Sequence, residues 1–201
     1  MKDTKEIVLF FKEESSFKPL DVAKEISSRY PELGNPIIIP ESDNKSLPVI
    51  IFNENPDLQM QVSLKMFTVV MNHSYFESVS SIVFDIVDAF SEFNVEFGRI
   101  GYIASVFLSP KYIEKAKKKY LNGKLIGEVT DFNFSWYKRL ECSFGSINCW
   151  ERIIVDKNNF KDLLCQFDFN TLASDVISLE IKKIKEFFKL TNEYIEDRVD
   201  L

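Results

Sequence analysis

Histidine is almost missing from this 201-residue chain, and with it goes the usual base for nucleophilic catalysis. His73 is the single one. It stands at an expected strand-to-helix junction with no Cys or Ser motif beside it, which suits an exposed or capping role better than a nucleophile–base pair. Neither CxxC nor HExxH occurs, so metal centres built from thiolates and imidazoles lack their ligands. Cysteine is scarce too. Cys142, Cys149 and Cys165 are odd in number, have no ligand spacing, and each falls on the apolar phase of a strand, the pattern of buried free thiols in a reducing compartment. No apolar run approaches the roughly 18 residues of a membrane span. Met1 to Glu6 is charged, without an apolar stretch or cleavage site, so the cytoplasm is the expected location. A phosphate loop is absent as well: Gly98-Arg99-Ile100-Gly101 has two glycines, but not the GxGxxG spacing, and lies within a strand. No cofactor and no metal are expected.

What is abundant is phenylalanine, 19 copies against two Trp and seven Tyr. Such rings suit the contact between a sheet and its helices, or else a cavity that admits an apolar ligand. The hydrophobic share of 45% supports a real core, and the length suits one domain over residues 1–201. Net charge is −6, which repels phosphate backbones overall.

Periodicity organises the chain around its middle. Ser74 to Glu77 reads as a capping box, followed by Val79, Ile82, Val83, Ile86, Phe90 and Phe93 at helical steps. Asn94 ends that helix and Val95 to Leu108 alternates as a strand, with a phase slip at Gly98 to Gly101 that predicts a bulge. Before the joint, Ile7 to Phe11 is a strand. Pro19 opens a helix with Leu20, Ala23, Ile26 and Tyr30 inward, and Pro31 and Gly34 stop it. Short strands follow at Ile37 to Ile39 and Val49 to Phe52, with a polar turn at Glu41 to Ser46, then one long strand from Leu58 to Thr68. After the joint, Ser109-Pro110 starts a second short helix that ends near Asn122-Gly123. Three strands come next, with Phe132 to Cys142, Ile147 to Val155 and Leu163 to Phe169 in apolar phase. A long helix from about Ser174 turns Ile177, Ile181, Ile184, Phe188, Thr191 and Ile195 inward.

Residues 5–94 and 95–201 then read as the same order, strand, helix, three strands, helix. The expected fold is α+β: two pseudo-repeats of β-α-β-β-β-α forming a curved antiparallel sheet with helices on one face, the layout of TATA-binding-protein-like and helix-grip folds.

Several short motifs fit this layout: Tyr30-Pro31, Gln61-Val62-Ser63-Leu64, Tyr75-Phe76, Arg99-Ile100-Gly101-Tyr102-Ile103, Phe167-Asp168-Phe169 and Phe187-Phe188. In these the chain resembles a family of sporadically distributed bacterial proteins of unknown function, although it lacks that family's proline-rich lead-in. The resemblance implies the fold and a bacterial or phage origin. It supplies no catalytic residues.

Three function classes remain. The first is a non-catalytic interaction protein, a dimer or a subunit of a complex, acting through a sheet face or exposed edge strands. Tyr137, Arg139 and Trp150 fall on polar strand phases and suit an interface; Arg99 lies at the phase slip, where it either pairs with an inward acidic neighbour or contacts an anion or partner. The second is a helix-grip binder, or enzyme, for a small apolar ligand. The third is nucleic-acid binding through the Lys111 to Lys124 helix, where Lys115, Lys117, Lys118 and Lys119 cluster and Tyr112, Tyr120, Trp136 and Tyr137 are close in sequence. Net charge disfavours it. Asp131, Glu141, Glu151, Asp156 and Asp168 on successive strands offer carboxylates for acid–base work only if they share one face.

Overall fold

The computed structural model describes residues 3–13, 17–39, 49–72, 78–121, 130–155, 162–172 and 179–199. In chain order these form β1 (Thr4–Phe11), α1 (Pro19–Arg29), β2 (Ile37–Ile39), β3 (Val49–Phe52), β4 (Leu58–Ser63), β5 (Met66–Asn72), α2 (Val79–Ser91), β6 (Phe97–Leu108), α3 (Lys111–Tyr120), β7 (Phe132–Cys142), β8 (Gly145–Val155), β9 (Leu163–Thr171) and α4 (Ile181–Val199). The nine strands make one open antiparallel sheet in the order β2-β3-β4-β5-β1-β6-β9-β8-β7. The fold is α+β, with β1 and β6 side by side near its middle.

Alternation along each strand decides which side is dry. Ile7, Leu9 and Phe11 of β1, Phe67, Val69 and Met71 of β5, Ile100, Tyr102 and Ala104 of β6, and Cys165, Phe167 and Phe169 of β9 are all buried. The helices supply the opposing layer. Phe90 of α2 lies 5.4–5.8 Å from the rings of Phe11, Phe67 and Phe97. Phe188 of α4 meets Tyr102 at 5.6 Å, Tyr194 stands edge-on to Phe167 and Phe169, and Tyr120 of α3 packs on Phe134 and Trp136 of β7. One continuous apolar cluster results, each fully buried Phe contributing about 1.5–3 kcal/mol. The phenylalanine excess is largely spent on this layer.

Local signals explain the ends of the elements. Asn94 has φ 56°, and the N–H groups of Asn94 and Val95 reach back to Ser91 (3.0 Å) and Phe90 (3.2 Å), closing α2 with the paired bonds of a Schellman motif. The expected bulge is present. Register steps from Phe10 opposite Arg99 to Phe11 opposite Phe97, which leaves Gly98 extra, and a Cβ there would lie 3.2 Å from the Cα of Lys12.

Other expectations are overturned. Residues 58–68 do not form one strand. Ser63 Oγ accepts the N–H groups of Lys65 (3.3 Å) and Met66 (3.2 Å), and this side-chain turn folds the segment into the β4–β5 hairpin. Leu64 and Met66 therefore leave the buried row, where Phe67 and Val69 stand instead. The two halves consequently differ in element order, with four strands between α1 and α2 but three between α3 and α4. Leu20 and Ile181 are exposed, since each sits in the first turn of its helix, ahead of the residues that meet the core. The capping box at residues 74–77, His73, the turn at 41–46, the helix end at 122–123, Lys124, Asp156, Ser174 and Ile177 lie outside the described residues. Among the described residues no helix is long and apolar enough to cross a membrane.

Candidate functional site

The side of the sheet turned away from the helices carries its own pattern. Register aligns Val8, Gly101, Asn170, Asn148 and Arg139 in one row across five strands, and Glu6, Ile103, Asp168, Trp150 and Tyr137 in the next. A third row runs through Thr4, Ser105, Gln166, Arg152 and Ser135. Between the second and third rows Ile103, Trp150, Arg152, Gln166 and Asp168 line a shallow depression of about 240 Å³.

A chain of hydrogen bonds braces this surface. Arg139 Nε donates to Tyr137 Oη at 2.9 Å, and Tyr137 Oη donates to Asn148 Oδ1. Asn148 Nδ2 then reaches Asn170 Oδ1, and Asn170 Nδ2 reaches Asp168 Oδ1, both at a long 3.4 Å. The series spans β7, β8 and β9 from a guanidinium to a carboxylate. It fixes the orientation of every amide in it, because an N–H must face each acceptor. Beside it the Tyr137 and Trp150 rings lie 5.0 Å apart at 53°, and they stay 42% and 45% exposed. Two large aromatic rings held together at the surface are unusual for a solvated sheet face and typical of contact surfaces.

Cations are sorted by type between the two sides. Three of the chain's five arginines, Arg99, Arg139 and Arg152, are on the open face, whereas the described strand lysines, Lys5 and Lys138, are on the helix side. Arg99 makes no ion pair with an acidic neighbour among the described residues. Its guanidinium lies 4.9 Å over the Phe10 ring, because the bulge returns Arg99 to the outer phase, and its buried Nε has no hydrogen-bond partner. Of the two readings of Arg99, the inward ion pair is therefore the one that fails.

The lysine-rich helix is elsewhere. Tyr120 of α3 stacks on Trp136, on the side of β7 opposite Tyr137, so the basic helix and the aromatic pair lie across the sheet from each other. Alternation along β7 makes Trp136 and Tyr137 diverge, and they do not flank one basic patch together. Lys117 is only 7% exposed and bonds Glu114 at 3.1 Å; Lys111 and Lys115 lie over Tyr112, and Lys119 over Tyr120. Several cations that looked free in sequence thus have intrahelical partners.

The carboxylates do not share a face either. Asp168 and Glu141 are on the open side, while Glu151 follows the apolar phase of β8 and is 1% exposed. Glu151 Oε2 accepts the Tyr194 hydroxyl at 2.9 Å, and Arg198 Nε stands 3.7 Å away. Oε1 has no partner, nor has the buried Tyr120 hydroxyl. Burial pushes the Glu151 carboxyl above its ordinary value, against the hydrogen bond from Tyr194 and the charge of Arg198. Sequence alternation already gave Glu151 away, since it falls in register with Cys149 and Ile153. Among the described residues no three His, Cys, Asp or Glu side chains are placed to hold a metal ion.

No family model matches this chain, and no curated protein matches it in sequence.

Proposed function

We propose that this chain is a non-catalytic interaction protein that binds a protein partner through the open face of its sheet. One observation carries the reading: Trp150 and Tyr137 are held side by side and exposed on a face that none of the described helices covers. Supporting it, the strand cations described on that face are arginines rather than lysines, the bias of contact surfaces. The apolar-ligand alternative rested on phenylalanine content, and the rings that prompted it pack largely on one another. The nucleic-acid alternative rested on α3, whose lysines are partly engaged.

The same reading extends to origin and architecture. The two halves derive from one duplicated unit, in the layout of TATA-binding-protein-like and helix-grip folds, in a cytoplasmic protein of bacterial or phage origin akin to the sporadically distributed family. What supports this is the strand order, in which β5-β4-β3-β2 run outward from β1 and β9-β8-β7 run outward from β6. On this view the β4–β5 turn gives the first half its additional strand.

The test compares faces. Cross-linking and co-purification of the full chain are measured for wild type, for Trp150→Ala with Arg139→Glu, and for Lys118→Glu on α3. The reading expects association to be lost in the open-face variant and kept in the α3 variant. Loss in the α3 variant alone, or no association by any form, overturns it.

A further inference from the structure

We propose that the partner seated on the open face is a second copy of this chain. The two protomers are related by a two-fold axis that passes beside Trp150 and pairs Arg152 of each protomer with Asp168 of the other. The inference rests on the open-face reading and names its partner.

The first argument is unspent charge. Arg152 and Asp168 stand on adjacent strands in diagonal positions, Arg152 opposite Gln166 and Asp168 opposite Trp150. Opposite charges on such a diagonal, roughly 7–8 Å apart at the backbone, are within mutual reach of long side chains. Yet neither is paired with the other, or with any charged side chain among the described residues, and both line the central depression. Asp168 receives only the long 3.4 Å bond from Asn170. A plus and a minus held apart at fixed positions form a pattern that its own two-fold image complements.

The second is geometric. In a face-to-face dimer the two-fold axis lies in the plane of contact and exchanges positions like a mirror line. With strands about 4.8 Å apart and a two-residue repeat of about 6.8 Å, the line exchanging Arg152 with Asp168 passes within about 1.5 Å of the positions of both Trp150 and Tyr137. The two pairs of rings therefore meet at the axis, where each large side chain packs against its own symmetry mate. The strands of the two sheets then cross at about 70°, close to the orthogonal class of sheet packing. One choice of axis satisfies the charges and stacks the rings together.

Area is sufficient. The five strands from β1 to β7 in sheet order span about 24 Å, and at about 3.4 Å per residue their eight to twelve residues present roughly 700–900 Å², the size of one side of a standard interface. Composition at the centre agrees: Trp, Tyr, Ile and Arg, and no lysine. A phosphate polymer would meet Glu6 and Asp168 here, in a chain of net charge −6.

The experiment is charge exchange, read by sedimentation equilibrium on the full chain. Wild type is expected to be a dimer. Arg152→Asp leaves two facing negatives at each contact and Asp168→Arg two facing positives, so each variant alone should dimerise about 100-fold more weakly, about tenfold for each of the two symmetry-related pairs. An equimolar mixture of the two variants rebuilds both contacts, one with reversed and one with native polarity, and should dimerise again as the mixed species. Unchanged far-UV circular dichroism and urea midpoints show that both variants fold. A wild-type monomer overturns the inference. So does a dimer indifferent to both charge changes, or a mixture that stays monomeric. If such a dimer is still dissociated by Trp150→Ala, the open face remains the contact and only the pairing is wrong. If Trp150→Ala also leaves the dimer intact, the open-face reading fails with it.

Discussion

A carboxylate with 1% of its surface exposed ought to make this protein lose stability as pH rises above the ordinary carboxylate range, and Glu151 provides the test. Its acid is weakened in the folded state, chiefly by burial, while Tyr194, Arg198, Trp136 and Lys119 pull the other way. Between the ordinary carboxylate value and the higher folded one, the native state holds a proton that the unfolded chain has released. Stability from this group is therefore fully present below the unfolded pKa and declines as pH rises to the folded pKa. Every tenfold weakening of the acid costs about 1.4 kcal/mol once that range is crossed. Glu151→Gln keeps the shape and removes the titration. Urea unfolding of both proteins from pH 3 to pH 8 should show the variant gaining on wild type as pH rises through the ordinary carboxylate range, with the difference levelling off below it. Tyr194→Phe supplies the second arm, because it deletes the 2.9 Å bond to Oε2. That bond is worth about 1.5–3 kcal/mol to an ionised acceptor and about 0.5–1.5 to a neutral one, so the loss should be larger at pH 8 than at pH 4. A Gln–wild-type difference that does not change with pH would refute the reasoning, since it would mean that Glu151 titrates alike folded and unfolded.

Two further outcomes follow from the dry layer. Phe90→Ala should cost about 3–5 kcal/mol by urea unfolding, because the Phe90 ring touches three buried rings from three different strands, whereas Phe93→Ala, on a half-buried ring, should cost clearly less. Thiol titration of the native protein should label Cys142 readily, but Cys149 and Cys165 only on unfolding, since burial pushes both of those thiols up to about 12 and seals them from reagent.

How far the sequence foretold all this depends on whether the determining contact is local. The alternating phases of β8 and β9, the asparagine that closes α2 and the bulge near Gly98 are short-range effects, and each was legible. The β4–β5 turn was not, although it is equally local. Leu64 and Met66 prolong the alternation of β4, and the turn is made by a serine hydroxyl rather than by glycine, asparagine or proline. The order of strands is a different matter. β9 enters between β6 and β8 through pairings such as Ile103 with Asp168, and nothing in either strand's own pattern encodes its neighbour. The depression depends on that order, because Ile103, Asp168 and Trp150 come from three strands. Tyr137, Arg139 and Trp150 were recognisable one by one as interface types; that Asp168, Arg152 and Gln166 surround them needed the register.

The partition of arginine and lysine gives the surface its direction. Lysine's compact, strongly hydrated ammonium resists leaving water, whereas a planar guanidinium sheds water more easily and lies flat on a ring. A face that stays solvated gains nothing by preferring arginine, and here three of the chain's five arginines lie on one sheet face. Arg99 makes the point most sharply. It already lies over Phe10 with its Nε shut away from water and unbonded, so part of its dehydration has been suffered in the free molecule. A partner would therefore meet a guanidinium already partly desolvated, which is how a surface prepared for contact differs from one that is merely polar.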